Sequence, residues 1–125
     1  MFNILVCEDD RQLRELFCDV LKSEGFVTAE VSHGEDALNK LDSANFDLVI
    51  TDVMMPKVDG FELVKSMRER GYDMPVLMIT AMGSPEDKRT GFRAGVDDYM
   101  VKPIDIDEMV WRVPLQPLPI RRARL

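Results

Sequence analysis

Five side chains could share chemistry: the adjacent acids Glu8 and Asp9, a third acid at Asp52, the hydroxyl of Thr80 and the amine of Lys102. Each ends or closely follows a short apolar run. Asn3–Cys7 (NILVC) leads into Glu8-Asp9, Leu48-Val49-Ile50 leads into Thr51-Asp52, Pro75–Thr80 (PVLMIT) ends in the threonine itself, and Asp98–Val101 precedes Lys102. Judged alone, Asp52 is a helix cap or turn aspartate as readily as a metal ligand or nucleophile. Position decides between them if all these runs end on one edge. Three crowded carboxylates repel and hold protons more tightly unless a cation lies among them. Oxygen ligands alone favour a hard octahedral ion, Mg2+ or Mn2+. An amine and a hydroxyl facing the same spot are donors suited to phosphate oxygens. A hard cation, a lysine, a hydroxyl and a carboxylate nucleophile are the parts that phosphoryl transfer requires. Neither a Gly-x4-Gly-Lys-[Ser/Thr] loop nor Gly-x-Gly-x-x-Gly occurs, so the expected chemistry is accepting a phosphoryl group, not extracting one from ATP.

The elements that must hold these residues follow from periodicity. The four runs named above and Phe26–Val31 have strand length, and PVLMIT, the most continuous, reads as central. Between them lie helical patterns: Leu13, Leu16, Phe17, Val20 and Leu21 up to Gly25; Ala37, Leu38 and Leu41 after a turn at Ser32–Gly34; Phe61, Val64 and Met67 up to Gly71. Ser84-Pro85-Glu86-Asp87 starts a fourth helix ended by Gly95. Asp105 or Asp107 caps a fifth carrying Met109, Val110 and Val113. Alternating strands and helices imply a parallel sheet covered on both faces, of α/β class. At this length the expected order is the flavodoxin-like 2-1-3-4-5, with ligands outside the carboxyl ends at the switch point between strands 1 and 3. Every conspicuous polar residue then falls on that one edge.

The totals agree. A chain of 125 residues makes one domain, and 46% hydrophobic with 31% charged residues excludes a disordered chain. A net charge of −7 argues against a general nucleic-acid binder. No apolar run reaches membrane-span length, and Met1-Phe2-Asn3 runs straight into a strand with no signal peptide, which points to the cytoplasm. Cys7 and Cys18 read as small core residues of a reducing compartment, and a lone His33 offers little to zinc or triad chemistry.

These segments resemble the receiver domain of two-component response regulators, a CheY-like fold. ILVCEDD is similar to the family's first strand and acidic pair, DLVITDVMMPKVDG to its phosphoacceptor segment, MITAMG to its switch threonine and DDYMVKP to its switch aromatic and lysine. The resemblance runs from about Asn3 to Val113. It implies that Asp52 takes a phosphoryl group from a sensor histidine kinase's phosphohistidine. Asp9 and Asp52 would bind Mg2+ directly, with Glu8 acting mainly through water and the Met54 backbone carbonyl as a further ligand. Thr80 and Lys102 would hold the phosphoryl oxygens, and Tyr99 would turn inward with Thr80. Asp10, next after the acidic pair, is not expected to be a ligand. No enzyme activity is expected beyond the domain's own phosphorylation and dephosphorylation. Lys102-Pro103 is a candidate cis bond.

GFRAGVDDYM resembles the winged-helix OmpR/PhoB-type transcriptional subfamily, implying a homodimer on phosphorylation through helix 4, strand 5 and helix 5. By position, Lys88 would face Glu108, and Asp98 would face Arg112, across a two-fold axis. DNA would be reached only through an output domain that this chain lacks. The receiver is expected to span 1–113 and a proline-rich basic tail 114–125, where Pro114, Pro117 and Pro119 forbid a regular helix and Arg121-Arg122-Ala123-Arg124 follows. An aspartate-nucleophile phosphatase of the haloacid dehalogenase type wants a second aspartate where Met54 stands. A degenerate binding module of the same fold would not take phosphate. Most methionines read as core filler and pocket lining; Met54 and Met82, each two residues past a site residue, are expected to hinder the hydrolytic water.

Overall fold

The structure, a computed structural model, describes residues 1–115; Pro117, Pro119 and Arg121–Arg124 of the tail lie outside them. Strands and helices alternate: β1 (Asn3–Cys7), α1 (Arg11–Ser23), β2 (Val27–Val31), α2 (Gly34–Ser43), β3 (Leu48–Thr51), α3 (Gly60–Glu69), β4 (Val76–Thr80), α4 (Pro85–Ala94), β5 (Asp98–Val101) and α5 (Ile106–Arg112). One 3-10 turn, Val113–Leu115, follows where Pro114 lacks the N–H a continuing α-helix needs. The strands pair in parallel in the order β2-β1-β3-β4-β5, the order the alternation predicts.

Alternate strand residues feed two cores. Leu5, Cys7, Val49, Val76 and Met78 pack with α2 and α3; Ile4, Val6, Leu48, Ile50, Leu77 and Ile79 pack with α1 and α5. Each large aliphatic side chain so buried contributes about 1.5–3 kcal/mol. Burial pushes the Cys7 thiol up, so it stays a protonated core residue. Helix α3 buries Gly60, Leu63, Val64 and Met67, whereas α4 buries only Gly91.

Each helix starts on a side-chain cap: Asp10, His33, Asp59, Ser84 and Asp105 accept backbone N–H bonds. Asp10 is thus the cap of α1. The expected turn at Ser32–Gly34 is shorter than read, because His33 Nδ1 accepts from Asp36 N–H at 3.3 Å and α2 begins at Gly34. A Cβ at Gly34 would lie 2.3 Å from the Val58 carbonyl oxygen, so its absence lets the β3–α3 loop rest on α2. At the opposite edge of the sheet Arg68 donates to the carbonyls of Gly95, Tyr72 and Met74 and pairs with Asp97 at 3.1 Å. That edge is tied for stability, which leaves the carboxyl edge to carry the site.

Candidate functional site

Four strand ends bring the site together. Backbone pairing continues just past the strands: Glu8 N–H donates to Val31 O at 3.1 Å, Asp52 N–H to Cys7 O at 3.1 Å and Lys102 N–H to Thr80 O at 2.8 Å. These bonds hold Glu8, Asp52 and Lys102 at the rim while their side chains turn toward one another. The Lys102 ammonium donates to Asp52 Oδ2 at 2.6 Å and to Glu8 Oε1 at 2.7 Å. Asp52, only 5% exposed, accepts at Oδ1 from the N–H groups of Val53 (2.6 Å) and Met54 (3.2 Å). One oxygen of Asp52 is therefore fixed by its own loop and the other by lysine. The Asp52 carbonyl accepts from the Thr51 hydroxyl at 2.9 Å and faces Gly60, where a Cβ would lie 2.0 Å away.

Thr80 is fully buried, and its hydroxyl accepts from Met82 N–H at 3.3 Å. The buried Tyr99 hydroxyl donates to Met82 O at 2.5 Å. The two side chains thus hold Met82 by its two backbone polar groups. Gly91 makes room for the tyrosine: a Cβ there would come within 3.0 Å of Tyr99 Cε2. Burial raises the Tyr99 phenol to about 12, helped by the charges of Asp87 and Asp52, so it remains a donor at neutral pH. The Lys102-Pro103 bond is cis.

Asp9 stands apart from this knot. It is exposed, with no hydrogen bond or ion pair to its side chain among the described residues. It borders a cavity of about 480 Å3 shared with Met54, Met55, Pro56, Phe61 and Met82. Met54 is 63% exposed there. Among the described residues no three His, Cys, Asp or Glu side chains converge closely enough to hold a metal unaided. The donor set still fits a hard cation. It is all oxygen, two of its acids already share one cationic nitrogen, and the third is uncommitted.

Three of the residues expected to pair between copies, Asp98, Glu108 and Arg112, also pair within the chain. Arg112 Nη1 donates to Asp98 Oδ1 at 2.8 Å, and Nη2 donates to Glu108 Oε1 at 3.1 Å. The reason is proximity: α5 crosses beside the start of β5, so the guanidinium fork reaches both acids without a partner. Lys88 makes no ion pair among the described residues. The pattern of residue types could not show the Glu8–Lys102 contact, nor the crowding at Gly60; both depend on side-chain direction at the sheet edge.

Burial raises the Glu8 carboxyl above its ordinary range, with Asp52's charge adding to the rise and Lys102 opposing it. For Lys102, burial works to lower the ammonium, but bonds to Asp52 and Glu8 outweigh it and the net shift is upward. A raised carboxyl contributes stability that is complete below its unfolded value, about 4.3, and lost as pH rises through its folded value. In Mg2+-free buffer, wild type should therefore lose stability relative to Glu8→Gln as pH climbs above about 4. Parallel urea titrations of the two proteins measure this; a difference that does not change with pH, or grows the other way, defeats it.

A family model described as the response regulator receiver domain matches residues 4–114. Transcriptional regulatory protein PcoR of Escherichia coli is 37% identical over 124 residues, covering 99% of this chain and 54% of that protein. Transcriptional regulatory protein CpxR of Escherichia coli K12 is 42% identical over 113 residues, 90% of this chain and 48% of the relative. The chain thus spans about half the length of the curated relatives it matches. Among solved structures, the receiver domain of the Francisella response regulator 1452 superposes with a TM-score of 0.89 at 32% identity, covering 98% of this chain and 99% of that one. Response regulator TrrA of Thermotoga maritima, in complex with Mg2+-BeF, gives 0.83 at 34% identity, covering 92% and 98%. No helix among the described residues is long and apolar enough to cross a membrane.

Proposed function

The chain belongs to the response regulator receiver domain family, and on that premise we propose that Asp52 accepts a phosphoryl group from the phosphohistidine of a sensor histidine kinase. The observation that carries this reading is the single ammonium of Lys102, just past the end of β5, bridging Glu8 and Asp52 at the ends of β1 and β3. A carboxylate oxygen of Asp52 bonds to phosphorus as the P–N bond breaks, and the imidazole leaves with the electron pair. Asp9, Asp52 and the Met54 carbonyl would hold Mg2+ (or Mn2+), with Glu8 acting through water. When bound, the ion would offset the charge of the acids and the incoming oxygens. Lys102 gives up its hold on Asp52 Oδ2 to grip a phosphoryl oxygen, and Thr80 donates its hydroxyl to another.

The switch follows from what is shared. Drawing Thr80 toward phosphate releases the Met82 N–H, and the Tyr99 hydroxyl sits on the carbonyl of that same residue. Tyr99 then adjusts with the β4–α4 loop, reshaping the face of α4, β5 and α5. A homodimer on this face would draw affinity from the exposed Phe92, Val101 and Trp111. Lys88, Asp98, Glu108 and Arg112 would set its register, each pair adding about 0–1 kcal/mol, once Arg112 exchanges its partners within the chain. Output would be transcription, through a DNA-binding domain outside these residues.

The test uses Mg2+ and acetyl phosphate. Intact mass should rise by one phosphoryl group only with Mg2+ present, and peptide mapping should find the label on Asp52. Labelling elsewhere, or none, overturns the reading. A second expectation concerns the lifetime of that label. Met54 and Met82 present apolar surface at the mouth, where a hydrolytic water must align. Met54→Asn should shorten the phosphoprotein's half-life by about tenfold, because an amide can orient that water. An unchanged decay of labelled protein removes the idea.

A further inference from the structure

Arg14, on the first turn of α1, reaches back toward the acidic pair. Its Nη1 donates to the backbone carbonyl of Glu8 at 2.8 Å and its Nε to Glu30 Oε1 on β2 at 3.2 Å. The side chain is 17% exposed, so this is an inward clamp and not a solvated charge. Glu8 is pinned from its other side too. Its N–H donates to Val31 O at 3.1 Å, and its Oε2 accepts from Asp10 N–H at 3.2 Å. Asp9 lies between these anchors with nothing holding its carboxylate among the described residues. Only its backbone and its own rotamer preferences direct it.

The peptide joining Glu8 to Asp9 is planar, so fixing its carbonyl oxygen fixes the start of Asp9 as well. We propose that Arg14 is a positioning residue for the cation site: by clamping the Glu8 carbonyl against Glu30, it presets the direction in which Asp9 offers its oxygens. The inference rests on reading Glu8, Asp9 and Asp52 as that site. It assigns Arg14 no contact with the ion or the phosphoryl group.

Two simpler roles predict different results. If Arg14 only braces α1 against β2, its loss lowers the melting temperature and leaves Mg2+ affinity alone. If it acts only as a charge, its removal takes a positive group away from a cation site, and Mg2+ binds more tightly. Positioning demands the opposite sign.

Calorimetric titration with MgCl2 at neutral pH distinguishes them, with melting followed in parallel by circular dichroism. Arg14→Gln should weaken Mg2+ binding about tenfold, the size seen when groups that orient a metal's ligands are lost. Arg14→Lys keeps the charge and one donor but not the fork, and should fall between Arg14→Gln and wild type. Glu30→Gln, which loosens the far end of the clamp, should weaken binding less but in the same direction. Unchanged or tighter Mg2+ binding by folded Arg14→Gln overturns the proposal, as does wild-type affinity in Arg14→Lys if the glutamine variant fails to fold. The underlying site fails on separate grounds: wild type that takes up no Mg2+, or Asp9→Asn and Asp52→Asn proteins that bind it undiminished.

Discussion

Asp52→Asn should lose phosphoryl incorporation from acetyl phosphate by at least about 100-fold, because the amide has no anionic oxygen to attack phosphorus. The fold should survive. The backbone bonds from Val53 and Met54 to the side-chain oxygen can be kept by the amide carbonyl, and Lys102 retains Glu8 as a partner. Removing one of two buried acids that face each other also relieves repulsion, so Mg2+-free stability should change by no more than about 1 kcal/mol. The second readout is Mg2+ itself. A cation that stabilises wild type by binding the native state should raise the melting temperature of Asp52→Asn much less. Intact-mass kinetics and a pair of melting curves check both halves. Residual labelling near the wild-type rate would mean that another group is the acceptor.

Gly60→Ala should be the most damaging small change outside the acids. The methyl would sit 2.0 Å from the Asp52 carbonyl oxygen and 2.8 Å from Val53 Cα, and neither backbone atom can step aside without moving the loop. Helix α3 begins at Gly60, and Gly60 N–H donates to Val53 O at 2.9 Å, so the clash also breaks the join between loop and helix. Overpacking of this kind costs about 3 kcal/mol. Because the displaced atom belongs to Asp52, phosphorylation should slow together with the loss of stability. A control such as Gly71→Ala, where a Cβ would meet nothing within 4 Å, carries only the strain of φ +85 and should leave phosphorylation intact. Urea midpoints and labelling rates decide it. Wild-type stability in Gly60→Ala would show that the loop has room which the geometry denies.

Much of this was legible in the residues. Runs such as LVI and VLMI are apolar at every position because parallel strands are buried on both faces, so their lengths and order declare the sheet. A polar residue closing such a run is costly unless compensated, which is why Asp52, Thr80 and Lys102 stood out. Less legible were contacts made by direction alone. Lys102 reaches Glu8 as well as Asp52, yet they are separated by 94 positions and nothing in residue type says which acid a lysine at a strand end will choose. Arg112 reaches Asp98 and Glu108 within its own chain, pairs that residue type and spacing did not announce. His33 escaped notice as a cap because imidazole is a weak signal beside Ser, Asp or Asn.

One helix, α4, is fastened more lightly than α3 beside it. With Gly91 as its only fully buried residue, and Ala94 and Phe92 only partly covered, α4 gives up less oil-to-water contact if it tilts or slides than α3, which would have to expose Leu63, Val64 and Met67. A disturbance in the β4–α4 loop therefore finds its softest outlet in α4. The helix that a change at Asp52 would reach first through that loop is one held with little buried apolar surface.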